Sequence, residues 1–385
     1  MGVPFYFIKT NSNQMTNQAD KKDTLSKKQI VIAVTALNAI DSPGPGVAVI
    51  RAIRECTDFE VRIIGLSYES LEPGSYMHDL VDKTYQIPYP SAGTDTLWGR
   101  LMYIHEKEKL DLIIPNFDAE LFNFIKLRDK LAESGIRTFL PDLEQFEARD
   151  KVKLFEFGKK HGLMVPEDKI IHQTKDLEKI AEEIGYPMVM KGKFYDAIIV
   201  NTLEQAQKAF YKIQAKWGLP IIVQEFINGT EINVAALGDG EGNAISVIPM
   251  RKLYITDKGK AWSGITIDDS SFIDLARKFI KVTKWRGGCE LEIMLSEDGK
   301  PYIMEVNPRF PAWIYLTAAA GQNQPASLVK MAMGQKVEPF TEYEVGKIFI
   351  RYAWDLITDI SEFQKISGNG ELEGKINSNN KVAID

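Results

Sequence analysis

Cysteine is nearly missing from this sequence. Its two copies in 385 residues, Cys56 and Cys289, lie far apart and offer neither a disulfide framework nor a zinc site. Histidine is as scarce, with four copies in no metal-like spacing, so no Cys/His or Ser/His/Asp constellation forms. No apolar run approaches the roughly 20 residues of a membrane-spanning helix, and there is no internal repeat or low-complexity tract. Basic residues are not in excess: 47 Lys and Arg against 53 Asp and Glu leave a net charge of −6, which argues against nucleic acid as the main partner. The apolar opening, Met1 to Ile8, has no positive region before it and no small-residue cleavage site after it. Gly2 is present, but Tyr6 stands where a myristoylation motif takes Ser or Thr. These absences predict a cytoplasmic protein with no membrane and no nucleic-acid partner.

What is present is ordinary globular composition, 44% hydrophobic and 26% charged, on a chain long enough for two or three domains. Residues 1–28 are polar and aperiodic and read as a mobile tail. Residues 29–142 then alternate buried-strand runs with helical patterns. Ile30-Val31-Ile32-Ala33-Val34, Val61-Arg62-Ile63-Ile64, Leu112-Ile113-Ile114 and Thr138-Phe139-Leu140 are the strands; Leu97 to Glu108 and Leu121 to Ser134 are two of the helices. That cadence predicts a doubly wound α/β domain. Ligands of such sheets lie at the carboxyl ends of strands, here the loops from Asp41 to Gly46 and from Asn116 to Glu120. Gly44 and Gly46 either let a backbone approach a ligand or make a plain turn. Asp118 and Glu120 either receive a substrate's ammonium or complement a helix start.

Further along, Arg149-Asp150-Lys151 opens an expected helix to His161. Pro187 to Lys191 and Ala197 to Val200 form a hairpin, and Thr202-Leu203-Glu204-Gln205 is a capping box for a helix to Trp217. Strands follow at Ile221 to Ile227, Glu231 to Leu237 and Ile245 to Met250. A loop then carries Lys258, Lys260, Trp262 and Gly264, and a helix spans Ser271 to Lys284. The expected boundaries are 143–225, 226–338 and an extension, 339–385, with a strand from Lys347 to Tyr352 and a polar end.

The most informative stretch is Gly288 to Phe310. Two runs of apolar-with-carboxylate alternation flank Glu297-Asp298-Gly299, a hairpin signal. Glu290 and Glu292 share one face of the first strand, and Glu305 and Asn307 one face of the second. Facing each other, they would need a cation among them, and hard oxygen donors suit Mg²⁺ with substrate phosphates. The same alternation also fits an amphipathic hairpin with its charges in solvent. Glu-x-Asn-Pro-Arg favours the metal platform, because Pro308 stops the ladder where the polar groups gather.

With these motifs in order, the chain over residues 29 to 335 resembles the ATP-grasp superfamily, in its carbamoyl-phosphate synthetase-like branch with the amino-acid ligases. The resemblance implies a doubly wound domain before a two-lobed grasp domain with antiparallel sheets, α/β and α+β together. It implies that Glu292, Glu305 and Asn307 hold Mg²⁺, as two ions, with Mn²⁺ a substitute, and that Glu290 is a polar site position. It implies that Lys151 and Lys191 contact ATP phosphates. Glu225, Phe226 and Ile227 would meet the adenine, and Glu231 the ribose.

The implied function is an ADP-forming ligase that joins a small-molecule carboxylate to an amine through an acyl phosphate. Arg309 would bind the carboxylate or the tetrahedral intermediate, with Arg251 and Lys252 as weaker candidates. One departure stands out. After Lys191 the chain reads Gly192-Lys193-Phe194-Tyr195-Asp196, with one glycine where the superfamily has a glycine-rich loop. That leaves an ATP-binding regulatory or scaffold protein as an alternative, besides carbamoyl- or carboxyphosphate chemistry. Specificity is expected in the first-domain loops and in Arg251 to Gly264. A homodimer is compatible with the resemblance.

Overall fold

The computed structural model describes residues 29–40, 42–192, 196–257 and 259–375. The expected tail at 1–28, Asp41, Lys193, Phe194 and Tyr195 of the short loop, Lys258 and the end of the chain past Lys375 lie outside the described residues.

Strands β1 (Ile30–Val34), β2 (Val61–Ser67), β3 (Lys83–Gln86), β4 (Leu112–Ile114) and β5 (Arg137–Thr138) pair in parallel in the order β3-β2-β1-β4-β5. Helices α1 (Pro45–Arg54), α2 (Thr94–Glu108) and α3 (Asp118–Glu133) connect them. Successive strand residues face opposite ways, so β1 feeds two cores. Ile30, Ile32 and Val34 pack with Val49, Ile50 and Ile53 of α1, while Ala33 joins Leu97 and Leu101 of α2 and Leu121 and Phe124 of α3. β3 escapes a pattern reading because Lys83-Thr84-Tyr85-Gln86 is polar in type, yet Thr84 and Tyr85 are buried.

The helix expected from Arg149 to His161 begins only at Leu154, as α5 (Leu154–His161), and a separate helix, α4 (Leu143–Ala148), comes before it. Asp150 separates the two: its carboxylate accepts from the Val152 amide at 3.0 Å and its carbonyl from the Lys153 amide at 2.8 Å, a local turn that competes with helix. Next come β6 (Asp168–Ile171), α6 (Leu177–Ile184), β7 (Met188–Gly192), β8 (Ala197–Val200), α7 (Leu203–Trp217) and β9 (Ile221–Glu225). The strands form an antiparallel sheet, β6-β9-β7-β8, whose apolar face packs on α6 and α7. Thr202 caps α7 by accepting from the Gln205 amide at 3.2 Å, while the Gln205 side chain reaches the Asn201 amide at 2.8 Å instead of that of Thr202.

The largest antiparallel sheet uses β10 (Gly229–Asp239), β11 (Ala244–Ile255), β12 (Ala261–Thr266), β13 (Arg286–Ser296), β14 (Pro301–Asn307) and β15 (Ile348–Ile350), in the order β14-β13-β10-β11-β12-β15. Helices α8 (Ser270–Thr283), α9 (Tyr315–Ala319) and α10 (Gln324–Ala332) flank it, α8 burying Phe272, Ala276 and Phe279 against β10, β13 and β14. The stretch expected as a loop from Arg251 to Gly264 is mostly ladder, with Arg251 opposite Ile265 and Lys252 opposite Gly264. In the extension, α11 (Ile360–Asn369) leads to β16 (Glu371–Glu373), which lies antiparallel beside β3 and completes the first sheet. No helix among the described residues is long and apolar enough to cross a membrane.

Candidate functional site

The site is built on the hairpin of β13 and β14. Leu291, Ile293, Ile303 and Val306 point into the core and set the register, because a one-residue slip would turn them out to water. That register puts Glu290 opposite Asn307 and Glu292 opposite Glu305, with an irregularity just after Glu292. Asn307 Nδ2 donates to Glu290 Oε2 at 3.1 Å and to Glu292 Oε1 at 3.0 Å. Glu290 is buried and held from three more sides, by Asn233 Nδ2 and Trp313 Nε1, both at 2.8 Å, and by Arg309 Nη1 at 3.5 Å. Burial first, then Glu290 and Glu305, push the Glu292 carboxyl well above the ordinary carboxylate range. A cluster with that cost is relieved by a cation.

The residues present fit a divalent ion. Two carboxylates and an amide share one face, and these are hard donors that suit a cation keeping several waters. Among the described residues, no three acidic, His or Cys side chains already converge as a metal cage. Lys151 Nζ instead stands 2.9 Å from Glu305 Oε2.

Lys191, at the end of β7, has its Nζ 2.6 Å from Gln224 Oε1 of β9. Burial lowers its pKa to about 8, and Lys151 adds repulsion, against the pull of Glu305, Glu292 and Asp168. Both lysines therefore lie within the field of the hairpin carboxylates. Beyond them, Glu225 ends β9, its amide donating to the Glu167 carbonyl at 2.8 Å and its carboxylate accepting from the Glu167 amide at 3.3 Å. Phe226 and Ile227 leave the ladder, and their amides make no backbone hydrogen bond among the described residues. Glu231 of β10 is ion-paired to Lys252 of β11, whose Nζ also donates to the Gly259 carbonyl at 3.1 Å.

A cleft of about 480 Å³ opens between the hairpin and the first sheet, lined by Glu290, Glu292 and Arg309 on one side and Asn38, Ser42 and Asp118 on the other. Glu231, Lys252, Lys260 and Arg351 also face it. Arg309 spans the seam, with Nε 2.9 Å from Asp118 Oδ2 at the start of α3 and Nη1 near Glu290. Burial alone would lower its pKa, but Asp118 and Glu290 hold it above the usual arginine value. Arg309→Met would leave two carboxylates facing without their cation. It is expected to destabilise the protein by about 2–3 kcal/mol in urea unfolding, below the full buried-pair figure because Asp118 is a third open to solvent.

The structure decides between alternatives that the sequence left open, and moves one weaker candidate, Arg251, off the cleft. Glu120 does not reach the cleft: it is buried, accepting from Thr35 Oγ1 at 2.5 Å, from the amides of Asn116 and Phe117 at 2.9 Å each, and from the Tyr68 hydroxyl. Burial pushes its carboxyl up to about 7 against those hydrogen bonds. Arg251 is exposed and off the lining; the strand alternation gives that place to Lys252. Gly44 and Gly46 serve their own chain, since a Cβ at Gly46 would meet the Thr35 carbonyl at 2.1 Å and one at Gly44 would meet Asn38 Oδ1 at 2.4 Å.

The structure adds residues with no short-range signal. Asn233 and Trp313 orient Glu290 from distant elements. Arg149, in the Arg-Asp-Lys turn, stacks on Phe146 at 4.2 Å with its Nε buried and without a partner among the described residues. Burial lowers its pKa against the pull of Asp118 and Glu305.

The family described as ATP-grasp domain matches residues 148–312. The carbamoyl phosphate synthase large chain of Caldanaerobacter subterraneus subsp. tengcongensis is 22% identical over 310 residues, which are 71% of this chain and 28% of that one. A D-alanine–D-alanine ligase of Cupriavidus metallidurans is 27% identical over 177 residues, 42% of this chain and 54% of the ligase. The chain thus spans little more than a quarter of the synthase chains it matches. The biotin carboxylase of Campylobacter jejuni, solved with β,γ-ATP, shares the fold with a TM-score of 0.66 over 84% of this chain and 74% of that one, at 17% identity.

Proposed function

From the premise that residues 148–312 of this chain form an ATP-grasp domain, we propose an ADP-forming ligase that joins a small-molecule carboxylate, an amino acid or small peptide, to an amine through an acyl phosphate. The observation that carries the reading is the ladder register, Glu292 opposite Glu305 and Glu290 opposite Asn307, with Lys151 2.9 Å from Glu305 and Lys191 within the field of both glutamates. When bound, Mg²⁺ at Glu292, Glu305 and Asn307 would withdraw charge from the β- and γ-phosphates.

The protein's own residues do the rest. Lys151 and Lys191 stabilise charge spreading over the transferred phosphoryl group, and burial around Lys191 strengthens that interaction. Phe226 and Ile227 offer free amides to the adenine edge, and Glu231 takes the ribose hydroxyls. Arg309 faces the cleft from the metal side, where its fork meets the substrate carboxylate and then the tetrahedral intermediate. Asp118 and Glu290 keep that guanidinium charged and aimed. The amine attacks the acyl phosphate carbonyl, the C–O bond to phosphate breaks, and the amine's proton leaves to solvent or phosphate.

Purified protein with Mg-ATP and pooled amino acids, short peptides and amines is expected to release ADP only when an acid and an amine are both present. ATP binding with no turnover in any pool would replace the ligase reading with a nucleotide-binding regulator.

A further inference from the structure

A second concave surface opens beside the cleft. It holds about 290 Å³ and is walled by Ile40, Tyr68, Leu71, Tyr89 and Phe117. Ala36, Asn38, Ile40 and Phe117 line both spaces, so the two share one wall. Ile40, Leu71, Tyr89 and Phe117 are 65%, 71%, 50% and 37% exposed. Exposed apolar side chains are normal when scattered; four of them converging on one concavity next to a reaction cleft mark a ligand surface.

The rings are held in place before any ligand arrives. Tyr68 stacks on Tyr89 with centroids 5.6 Å apart and an interplanar angle of 20°, and it meets Phe117 at 5.9 Å. The Tyr89 hydroxyl donates to Glu69 Oε1 at 2.6 Å, and that of Tyr68 to the buried Glu120. Glu120, for which the sequence offered a substrate's ammonium or a helix start, thus fixes a wall of this pocket from behind. Glu72 holds the floor, with Oε1 accepting from the amides of Tyr68 and Glu69 at 2.8 and 3.3 Å.

Charge separates the two spaces. The cleft mixes Lys252, Lys260, Arg309 and Arg351 with Asp118, Glu231, Glu290 and Glu292, so both signs meet there. The second pocket presents the exposed Glu69 carboxylate, with Glu72 buried beneath it and pushed up to about 7 by that burial, and among the described residues its lining holds no Lys, Arg or His. Aromatic faces carry negative potential and attract cations, and the exposed Glu69 carboxylate adds to it. With no basic side chain on its described lining, the pocket suits an apolar body bearing a positive charge.

We propose that this pocket is the subsite for the amine substrate, which carries a bulky, aromatic or comparably apolar group next to its ammonium. The assignment to the amine rests on the ligase reading; the binding preference does not.

The test is calorimetric titration of the full chain, without ATP or metal, with phenethylamine, 3-phenylpropionate and n-propylamine. Phenethylamine is expected to saturate in the millimolar range and to bind about tenfold tighter than either of the others. Tyr89→Ala should weaken it about fivefold and Tyr89→Phe should retain it. If Tyr89→Ala does not fold, Leu71→Ser, at the most exposed wall position, should weaken binding about threefold. Equal binding of the carboxylate, undiminished binding in the folded variants, or no saturation by phenethylamine overturns the proposal. Phenethylamine binding with no ADP release in any pool keeps the pocket and removes the ligase. ADP release with small polar amines alone, and no phenethylamine binding, keeps the ligase and removes the pocket.

Discussion

Glu305→Ala is expected to lower kcat for ADP formation about 10³-fold, the size of effect seen when one charge-stabilising group is removed from a transition state. Glu305 faces Glu292 across the ladder, and Lys151 stands beside it. Removing it takes a metal donor and leaves Lys151 without that carboxylate. A bland ion pair would behave otherwise. Partly exposed pairs contribute at most about 1 kcal/mol, so a structural Lys151–Glu305 pair would let the variant keep turnover and lose only a little stability. A rate assay beside a urea titration separates the two outcomes.

Lys191→Met lowers kcat about 10²-fold or more while raising thermal stability at pH 7. Burial holds Lys191 at about 8 in the folded protein, against an ordinary value of 10.5. Below pH 8 the folded state carries this buried charge at a cost. As pH rises from about 8 toward 10.5, the native group is neutral while the unfolded one still binds a proton, so stability climbs across that window. Methionine removes the cost without opening a cavity. The catalytic sign is opposite. On the proposed ligase reading the protonated lysine stabilises phosphate, so kcat/KM, which reports the free enzyme, is expected to fall as pH rises through about 8. Loss of that limb in Lys191→Met checks the assignment, and a limb that persists would give it to another group.

Much of the site was legible because period-two alternation is a strong local signal. Glu290, Glu292, Glu305 and Asn307 fall on one face for the same reason that Leu291 and Val306 fall on the other. Phase was harder. Arg251 and Lys252 are adjacent in the same ladder, and only the register decides which of them faces the cleft. Asp118 and Glu120 look alike at a helix start, yet one meets Arg309 and the other lies buried under Tyr68. Asn233 and Trp313 reach Glu290 from far along the chain, a contact that no local pattern encodes.

The fold shows the same division. Apolar runs announced β1, β2 and β4, while β3, β12 and β16 are polar or short and gain their place from neighbours. The break between α4 and α5 comes from one side chain, Asp150, turning on its own backbone. Lys151 sits in that turn, so the interruption places a phosphate-binding candidate beside Glu305 rather than along a helix face.

The most direct measurement is calorimetric titration of ATP into wild type and Glu305→Ala, each with and without Mg²⁺. The account predicts that Mg²⁺ tightens ATP binding about tenfold or more in wild type, and has little effect in the variant. ATP binding that ignores Mg²⁺ in wild type, or a Mg²⁺ effect that survives loss of Glu305, would contradict the reading of the β13–β14 hairpin as a metal–nucleotide platform.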